Sequence, residues 1–288
     1  MSRRTRHPVA GQVVLITGAA RGIGAGTARA LAARGARVSL VGLEPDLLAA
    51  LAEELGPQAA WFEADVTDRA AVDRAVAATV ERFGGIDVVL ANAGVSPVGT
   101  VTTLPTAAWE QTIAVNLLGV YHTIHAALPH VIARQGYILP IASLAAALHA
   151  PMMSCYAASK AAVEALANCL RVELAPRGVA VGCAYFSFID TDMVREAQEH
   201  PATRAGGLIG GVAPLSDAVE ALVDGIERRA RRAYAPRWVG PVLWARGVLN
   251  PLVNVAAPHR RDVREAIRIA EDNPQGPGSG AMSPRAGT

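Results

Sequence analysis

The sequence predicts an α/β fold in which helices cover both faces of a doubly wound parallel sheet. Three observations support this prediction. Short apolar runs alternate with longer segments of helical period, the runs are apolar throughout as in strands buried on both faces, and the first run ends in a glycine-rich turn. The 288 residues are 51% hydrophobic and 18% charged, which suits one large domain with a substantial core.

Six short apolar runs predict the strands of the sheet. These runs occupy residues 13–17, 37–42, 59–64, 86–94, 136–143 and 179–186. The segments between them have helical periodicity, and several end at Gly or Pro. They predict helices at residues 23–34, 46–55, 69–83, 107–133 and 155–175. Because strands and helices alternate, the strands are expected to be parallel.

The regular alternation ends after Asp190. Residues 191–215 are rich in Gly and Pro and predict a loop. A helix is predicted at 217–231, and a short strand at 232–236. The sequence contains no internal repeat.

The C-terminal part of the chain differs in composition from the domain predicted at residues 9–240. Residues 241–272 are first apolar and then amphipathic, which predicts a C-terminal helical extension. Residues 273–288 are rich in Gly, Pro and Ser and predict a disordered tail.

Charge and cysteine usage argue against several classes of function. The net charge is +2, and the arginine-rich runs at 2–6 and 228–232 lack interleaved aromatic residues, so no nucleic-acid partner is expected. No window approaches the about 18 to 20 apolar residues of a membrane span, so no stable membrane insertion is expected. Three cysteines without CxxC spacing predict neither disulfides nor zinc, and His122, His125 and His130 lack a further ligand, so no metal site is expected. These features fit a soluble cytoplasmic protein.

The motif "TGAARGIG" at residues 17–24 lies between the first predicted strand and the first predicted helix. Gly18, Gly22 and Gly24 allow a tight turn and let backbone N–H groups at the helix N-terminus approach a pyrophosphate. This position after a strand and before a helix, more than the glycine spacing, predicts a Rossmann-type dinucleotide site.

The motif "YAASK" contains the only lysine among the 27 Lys and Arg residues of the chain. Tyr156 and Lys160 are four residues apart on one predicted helix, which places both side chains on one face. A tyrosine has a pKa of about 10, and a nearby ammonium would lower that pKa by stabilising the phenolate. A compact ammonium can also donate to a ribose, whereas a planar guanidinium has a different shape. The pair therefore predicts proton-transfer chemistry.

Taken in order, these motifs resemble those of the short-chain dehydrogenase/reductase family. The resemblance extends from about Val9 to Tyr234 and includes "ADV" at 64–66, "ANAG" at 91–94, and Asn116 in "AVNLLG". It also includes "PIAS", which ends at residue 143. The resemblance implies an oxidoreductase that transfers a hydride between a nicotinamide cofactor and a carbonyl or secondary alcohol. It also implies a homodimer or homotetramer.

The same resemblance implies a catalytic tetrad of Asn116, Ser143, Tyr156 and Lys160. Tyr156 would exchange the proton with the substrate, and Ser143 would orient the substrate oxygen. Lys160 would lower the pKa of Tyr156 and hold the nicotinamide ribose. Asn116 would carry a water that returns the proton through Lys160.

Cofactor contacts are implied at the glycine-rich turn, at the ends of the second to fourth strands, on the "YAASK" helix and beyond the sixth strand. These contacts are Gly18, Arg21, Gly22, Ile23, Gly24, Gly42, Glu44, Asp65, Val66, Asn92, Ala93, Gly94, Tyr156, Lys160, Ile189 and Thr191. Asp65 and Val66 would hold the adenine ring, and Asn92 would stabilise the central sheet. Phe186 and Ser187 depart from the Pro-Gly that the family usually has after the sixth strand.

The end of the second strand bears on the choice of cofactor. Gly42 stands where an acidic side chain would bind the adenosine ribose and repel a 2′-phosphate. Arg21 could contact that phosphate, whereas Glu44 could bind the ribose instead. NADP(H) is therefore slightly favoured, with NAD(H) as the alternative.

The substrate is expected to be a hydrophobic ketone or alcohol, because residues 147–153 and 191–215 should flank it and contain many apolar side chains. Two other readings stay open. The chain could be an epimerase or dehydratase of the family's extended relatives, although its glycine spacing and modest C-terminal region argue against this. It could also be an NAD(P)-binding sensor or scaffold without turnover, since a fold does not dictate a function.

Overall fold

The computed structural model describes residues 6–206 and 210–273 and has a six-stranded parallel sheet at its centre. The strands of this sheet are β1 (Val13–Thr17), β2 (Arg37–Gly42), β3 (Ala59–Glu63), β4 (Val88–Ala91), β5 (Tyr137–Pro140) and β6 (Ala180–Val181). Their spatial order is β3-β2-β1-β4-β5-β6. The order changes direction between β1 and β4, which is where a doubly wound sheet opens a crevice for a ligand. The predicted doubly wound parallel sheet is confirmed.

Helices connect the strands, as the sequence predicts. They are α1 (Gly22–Ala32), α2 (Pro45–Leu55), α3 (Arg69–Phe83), α4 (Thr106–Ile113), α5 (Gly119–Ala133), α6 (Ser154–Glu173), α7 (Asp192–Glu199), α8 (Pro201–Gly206), α9 (Leu215–Glu227), α10 (Val239–Ala256) and α11 (Arg261–Asp272). Short 3-10 turns lie at Gly56–Gln58, Leu144–Ala146, Ala175–Arg177 and Ala257–His259.

Two hydrophobic clusters bury the two faces of the sheet. Leu15 points into one cluster together with side chains of α3, α5 and α6. Val14 and Ile16 point into the other, where they meet side chains of α1, α2 and α9. Because successive strand residues face opposite sides, a strand covered on both faces must be apolar throughout.

The predicted strand 179–186 is divided into β6 and a second strand, β7 (Ala184–Phe186). The division lies near Gly182, where a Cβ would come within 2.1 Å of Tyr137 Oη. The Tyr137 hydroxyl occupies this space because it donates a hydrogen bond to the carbonyl of Ala230, at 2.7 Å. Beyond the division, β7 pairs in parallel with β8 (Ala233–Ala235), which confirms the short predicted strand.

Two predicted segments differ in the structure. The helix predicted at 107–133 contains a π-helical turn, Ala114–Leu118, between α4 and α5. The loop predicted at 191–215 contains α7 and α8. Pro201 begins α8, where the missing N–H of proline interrupts no helical hydrogen bond, so this proline starts a helix rather than preventing one.

The predicted C-terminal extension is helical. The helix α10 begins at Val239, and Val239 and Leu243 join the core cluster of α3, α5 and α6. The helix α11 packs against α8, with Ala266 and Ala270 buried on α11 and Ala202 buried on α8. The predicted disordered tail lies outside the described residues, apart from Asn273. In the part of the chain that the structure describes, no helix has the length and apolarity needed to cross a bilayer.

Candidate active site

The turn between β1 and α1 can be built only with glycine at its key positions. Gly18 and Gly22 have positive φ angles of 62° and 54°, which side chains rarely adopt. Gly24 is confined in a different way, because a Cβ there would lie 2.2 Å from the carbonyl oxygen of Gly18. The turn therefore closes tightly against the start of α1 and exposes backbone rather than side chains.

The N-terminus of α1 has the properties of an anion site. Its N-cap residue, Arg21, is extended, and its side chain makes no capping hydrogen bond to the helix. The first-turn N–H groups of a helix otherwise lack partners, and the helix dipole adds a partial positive charge. Thr191 approaches from the opposite side, with its Cγ2 3.5 Å from the position that a Cβ on Gly22 would take. A pyrophosphate fits this arrangement.

Asn92 fastens the end of β4 to the glycine-rich turn. Its Nδ2 donates to the carbonyl oxygens of Thr17 and Gly18, at 2.9 and 3.0 Å. Its backbone N–H donates to the Thr17 hydroxyl at 3.1 Å. These bonds hold the two central strands together at the edge where the crevice opens, in the place that the sequence predicts.

The ends of β2 and β3 are joined beside the same crevice. The N–H of Ala64 donates to the carbonyl of Gly42 at 2.9 Å, so residues 65 and 66 follow directly beyond Gly42. The Asp65 carboxylate accepts a hydrogen bond from the Thr67 N–H at 2.8 Å, while Val66 is buried. Asp65 and Val66, for which adenine contacts are an expectation, therefore lie at the edge of the sheet where β2 and β3 end.

Arg21 and Glu44 bind each other rather than standing apart. The guanidinium Nη2 of Arg21 donates to Glu44 Oε1 at 2.5 Å, and both side chains are partly exposed. Glu44 Oε2 also lies 3.7 Å from the position that a Cβ on Gly42 would occupy. A carboxylate is therefore present at the end of β2, although the residue that ends the strand is glycine.

Ser143 and Tyr156 are brought together by the end of β5 and the start of α6. The Ser143 hydroxyl donates to the carbonyl of Phe186 at 3.2 Å and accepts from the Ala145 N–H at 3.1 Å. Burial raises the pKa of Tyr156 above its ordinary value, and the neighbouring Ser143 hydroxyl opposes this shift. The lowered pKa expected for Tyr156 is therefore not found, because the loss of water outweighs the stabilisation of the phenolate.

Lys160 lies beneath the tyrosine ring and is buried. Its Nζ is 5.6 Å from the centroid of the Tyr156 ring and donates to the carbonyl of Ile141 at 2.9 Å. Burial lowers the pKa of Lys160 to about 8. The amine is thus held in place by one backbone acceptor, and it has two further protons to donate when it is charged.

Asn116 occupies the π-helical turn and uses its side chain within the protein. Its Oδ1 accepts from the Val95 N–H at 2.8 Å, and its Nδ2 donates to the carbonyl of Val95 at 2.9 Å and to Ser159 Oγ at 3.1 Å. A Cβ on Gly94 would lie 3.3 Å from Asn116 Oδ1 and 3.5 Å from Lys160 Nζ. The side chain of Asn116 therefore holds the segment after β4 close to Lys160.

Ser159 is a residue that the sequence reasoning missed. It is fully buried, accepts from Asn116 and donates to the carbonyl of Tyr156 at 2.8 Å. It thereby links two of the implied catalytic residues. The signal for it was its place inside "YAASK", between the tyrosine and the lysine of that motif.

The segment after β7 carries Ile189, for which a cofactor contact is expected. The side chain of Ile189 is buried in the core cluster of α1, α2 and α9, so a ligand could reach this residue only through its backbone. The hydroxyl of Ser187 is buried and has no hydrogen-bond partner among the described residues. Ser187 follows Phe186, whose carbonyl binds Ser143, so an additional polar group lies next to the candidate catalytic residues.

An open cavity of about 560 Å³ lies along α7 and α8. It is lined by Arg195, Gln198, Glu199, Thr203, Arg204, Gly211 and Val212. None of these residues belongs to the implied tetrad, and most of them are polar. The lining of this cavity is therefore more polar than the apolar substrate surface predicted for residues 191–215.

Residues 12–202 match the family model described as short chain dehydrogenase. The chain is 36% identical over 199 residues to trans-4-hydroxycyclohexanecarboxylate dehydrogenase of Sinomonas cyclohexanicum, covering 66% of this chain and 77% of that protein. It is 37% identical over 205 residues to (-)-trans-carveol dehydrogenase of Rhodococcus erythropolis, covering 65% and 74%. A match to glycine betaine reductase ATRR of Emericella nidulans, 34% identical over 206 residues, covers 70% of this chain but only 16% of that much longer protein.

Solved structures agree with these matches. The chain superposes with a TM-score of 0.71 on 3-ketoacyl-(acyl-carrier-protein) reductase from Brucella melitensis complexed with NADH. The two chains are 26% identical, and the superposition covers 79% of this chain and 97% of the other. A short-chain type dehydrogenase/reductase from Mycobacterium marinum also has a TM-score of 0.71, with 27% identity and coverage of 78% and 94%.

Proposed function

The chain belongs to the short-chain dehydrogenase family, and on that premise we propose that it transfers a hydride between a nicotinamide cofactor and a carbonyl or secondary alcohol. The observation that supports this most is the meeting of Ser143, Tyr156 and Lys160 at the carboxyl end of β5. Ser143 lies beside Tyr156 and acts on its pKa, and the Lys160 amine lies 5.6 Å from the centroid of the tyrosine ring. A protein that only sensed the cofactor would not need this proton-transfer group, which disfavours the alternative without turnover.

The crevice suits a dinucleotide on three separate grounds. The glycine-rich turn offers backbone N–H groups and no side chains, the N-terminus of α1 favours an anion, and Gly94 leaves space between Asn116 and Lys160. When bound, the cofactor supplies or accepts the hydride at its nicotinamide ring. The protein binds it, orients it and handles the proton.

Tyr156 is the proton donor in the direction of reduction. Its hydroxyl transfers a proton to the oxygen that becomes an alkoxide, and the Ser143 hydroxyl donates a hydrogen bond to the same oxygen. Because burial raises the pKa of Tyr156, the phenol keeps its proton at neutral pH, as a donor must. In the direction of oxidation the same hydroxyl has to lose its proton first, so oxidation gains from a higher pH.

Lys160 and Asn116 support this step in different ways. Lys160 uses one proton for the Ile141 carbonyl and has others for a ribose hydroxyl. Asn116 holds the segment at Val95, and through Ser159 it also supports the turn of α6 that carries Tyr156. We assign Lys160 to the cofactor and the proton path, and the Asn116 side chain to positioning.

The pair of Arg21 and Glu44 selects the cofactor. Gly42 alone slightly favoured NADP(H), but Glu44 puts a carboxylate beside Gly42 and holds Arg21. A 2′-phosphate would have to separate the pair and would meet the carboxylate, whereas ribose hydroxyls could donate to it. The geometry therefore supports NAD(H) over NADP(H), with a small margin because the pair is partly exposed.

The substrate we propose is an apolar, cyclic secondary alcohol or the corresponding ketone. Residues 147–153 follow the Ser143 turn, and Leu148, Met152 and Met153 within them are only partly buried. Such side chains can cover an apolar ring without supplying polar partners. The names of two relatives, a hydroxycyclohexanecarboxylate dehydrogenase and a carveol dehydrogenase, point to the same class.

We further propose that the chain works as a homodimer or homotetramer in the cytoplasm. Leu118, Tyr121 and Val172 are exposed apolar residues on the connected helices α5 and α6 and the turn before them. Such side chains could be covered by a second copy. The cysteines at 155, 169 and 183 are free thiols, which suits a reducing compartment.

The test is the oxidation of NADH and NADPH by the full chain with a panel of apolar cyclic ketones, followed by absorbance. We expect turnover with at least one ketone and formation of the corresponding alcohol. Binding of cofactor without oxidation across the panel would support the sensor reading instead. Release of an isomer or a dehydrated product without net cofactor oxidation would support the epimerase or dehydratase reading.

A further inference from the structure

Beyond its first turns, the helix α10 is oriented the opposite way from a helix on the surface of a water-soluble protein. Such helices bury an apolar side and expose a polar one. On α10 the charged side chain faces inward, because Arg246 Nη1 binds both carboxylate oxygens of Glu164 on α6, at 2.9 and 2.7 Å. Asn250 lies one turn further on, and its Oδ1 is buried too. Only the first turns of α10, at Val239 and Leu243, join the core.

An apolar stripe covers the outward side of α10. It consists of Trp244, Val248, Leu252 and Val255, which are 77%, 67%, 60% and 70% exposed. Their spacing of four, four and three residues places them on one side of the helix. Trp244 and Arg246 are two residues apart, so their side chains point about 200° apart around the helix axis. Contiguous exposed side chains of this size indicate a surface that is covered by an apolar partner.

Arginines lie around this stripe, and the acidic residue that directly follows them, Asp262, is paired with Arg260. Between Arg228 and Arg261 the chain has no Asp or Glu. The same stretch contains eight arginines, at positions 228, 229, 231, 232, 237, 246, 260 and 261. The guanidinium of Arg232 lies 5.1 Å from the Trp244 ring, Arg237 precedes α10, and Arg261 follows it. The apolar stripe is thus bounded by cations at both ends.

This charge pattern argues against a second copy of the stripe as the partner. Whether two α10 helices met in parallel or antiparallel, each basic end would face another basic end. Asp262, which follows the stretch, already pairs with Arg260, so like charges would face each other across the interface and oppose binding. An anionic lipid surface satisfies both features, because it offers hydrocarbon to the stripe and phosphate to the arginines.

We propose that α10 is a membrane-surface helix that binds the chain to an anionic bilayer. The stripe of Trp244, Val248, Leu252 and Val255 enters the interface, and Arg232, Arg237 and Arg261 contact lipid phosphates. The helix lies on the bilayer without crossing it, in keeping with the expectation that the chain makes no stable insertion. The proposal is independent of the reaction, since no residue of the stripe belongs to the catalytic or cofactor-binding set.

The experiment is co-sedimentation of the full chain with vesicles of phosphatidylcholine alone and of equal parts phosphatidylcholine and phosphatidylglycerol. We expect binding to the anionic vesicles and weaker binding to the neutral ones. Leu252→Gln removes a buried apolar side chain from the bound state and should weaken binding about tenfold. Arg237→Gln should weaken it about fivefold, because one arginine near an anionic surface contributes about 1 kcal/mol.

A matched control is Val101→Gln, which changes a residue that is also 75% exposed but lies outside the stripe. It should leave vesicle binding unchanged, and all three variants should keep wild-type cofactor binding. The proposal is overturned if the wild type does not bind anionic vesicles, or if Val101→Gln weakens binding as much as Leu252→Gln does. If the wild type does not bind vesicles but Leu252→Gln changes the molecular mass of the protein in solution, measured by analytical ultracentrifugation, the stripe is assigned to a contact between protein chains.

Discussion

The carboxylate of Glu44 accepts a hydrogen bond of 2.5 Å from the guanidinium of Arg21, across the mouth of the crevice between the β1 turn and the end of β2. Each residue taken alone suggests a different cofactor. In the pair, each side chain is occupied by its hydrogen bond to the other. A bound adenosine ribose would have to displace one of the two, and the choice of cofactor depends on which one it displaces.

We therefore expect Glu44→Gln to shift the ratio of kcat/KM for NADH over NADPH toward NADPH by about tenfold, because the repelling carboxylate is gone and Arg21 is free. Arg21→Ala should shift the ratio the other way. The matched control is Glu54→Gln, which breaks a similar exposed pair with Arg29 away from the crevice. An unchanged ratio in both Glu44→Gln and Arg21→Ala would remove the pair from cofactor selection.

Tyr156→Phe should lower kcat by about a thousandfold, because only the hydroxyl can supply the proton and the ring keeps its packing. The dissociation constant for NADH, measured by fluorescence, should stay within about threefold of wild type. Tyr121→Phe, at an exposed tyrosine of α5, is the control and should change neither value. Residual turnover within about tenfold of wild type would contradict the assigned role.

The amine of Lys160 should titrate near pH 8, because burial lowers its pKa to about 8. As the chain has one lysine, selective isotope labelling of lysine gives a single side-chain signal, and its shift against pH reports this group alone. A midpoint near the ordinary value of about 10.4 would contradict burial of the amine.

The lowered pKa of Lys160 also predicts how stability depends on pH. Between about pH 8 and the ordinary lysine value, the unfolded chain binds a proton that the folded chain does not, so this group makes folding more favourable as pH rises. Denaturant unfolding of the wild type and of Lys160→Met should differ in this window and run parallel below it. Identical pH profiles would show that the amine is not buried in solution.

Lys160→Arg should lose most of the activity although it keeps the charge, with kcat/KM lower by about a hundredfold. The Lys160 amine is buried between the Ile141 carbonyl and Gly94, where a planar guanidinium cannot take the same position. Steady-state kinetics with one ketone tests this expectation. Normal activity in the arginine variant would mean that any buried cation suffices.

The packing of α11 on α8 should affect the substrate rather than the cofactor. Ala266→Arg places a long side chain at a buried contact and should displace α11, which supports the segment that follows Thr191. We expect a KM for the ketone raised about tenfold and an unchanged dissociation constant for NADH. Ala256→Arg, at an exposed position of α10, is the control, and an equal effect of both variants would refute a local role.

The sequence was sufficient for the parallel sheet, for most helices and for the positions of the motifs. A strand that is buried on both faces has an unbroken apolar run, as at Val13–Thr17. A helix that is covered on one face has an apolar residue every three to four positions. The glycine-rich turn can also be predicted from the sequence, because its glycines are required by local geometry. Gly18 has a positive φ angle, and a Cβ on Gly24 would clash with the carbonyl of Gly18 in the same turn.

Features that depend on contacts between distant segments could not be read in this way. The π-helical turn at Asn116 is accompanied by hydrogen bonds to Val95, and Gly182, where the sixth strand divides, leaves room for the hydroxyl of Tyr137. Neither partner is a sequence neighbour, and neither leaves a periodic signal.

Only the tertiary structure decided the electrostatics of the site. The sequence places a lysine beside a tyrosine and predicts a lowered pKa for the tyrosine, but the fold buries both groups, so desolvation raises the pKa of Tyr156 and lowers that of Lys160. In the same way, Glu44 reaches the end of β2 and meets Arg21 only because the sheet sets β1 and β2 side by side. Spacing along a chain determines which face a side chain takes, whereas the depth of burial and the partner across the crevice depend on how the faces pack.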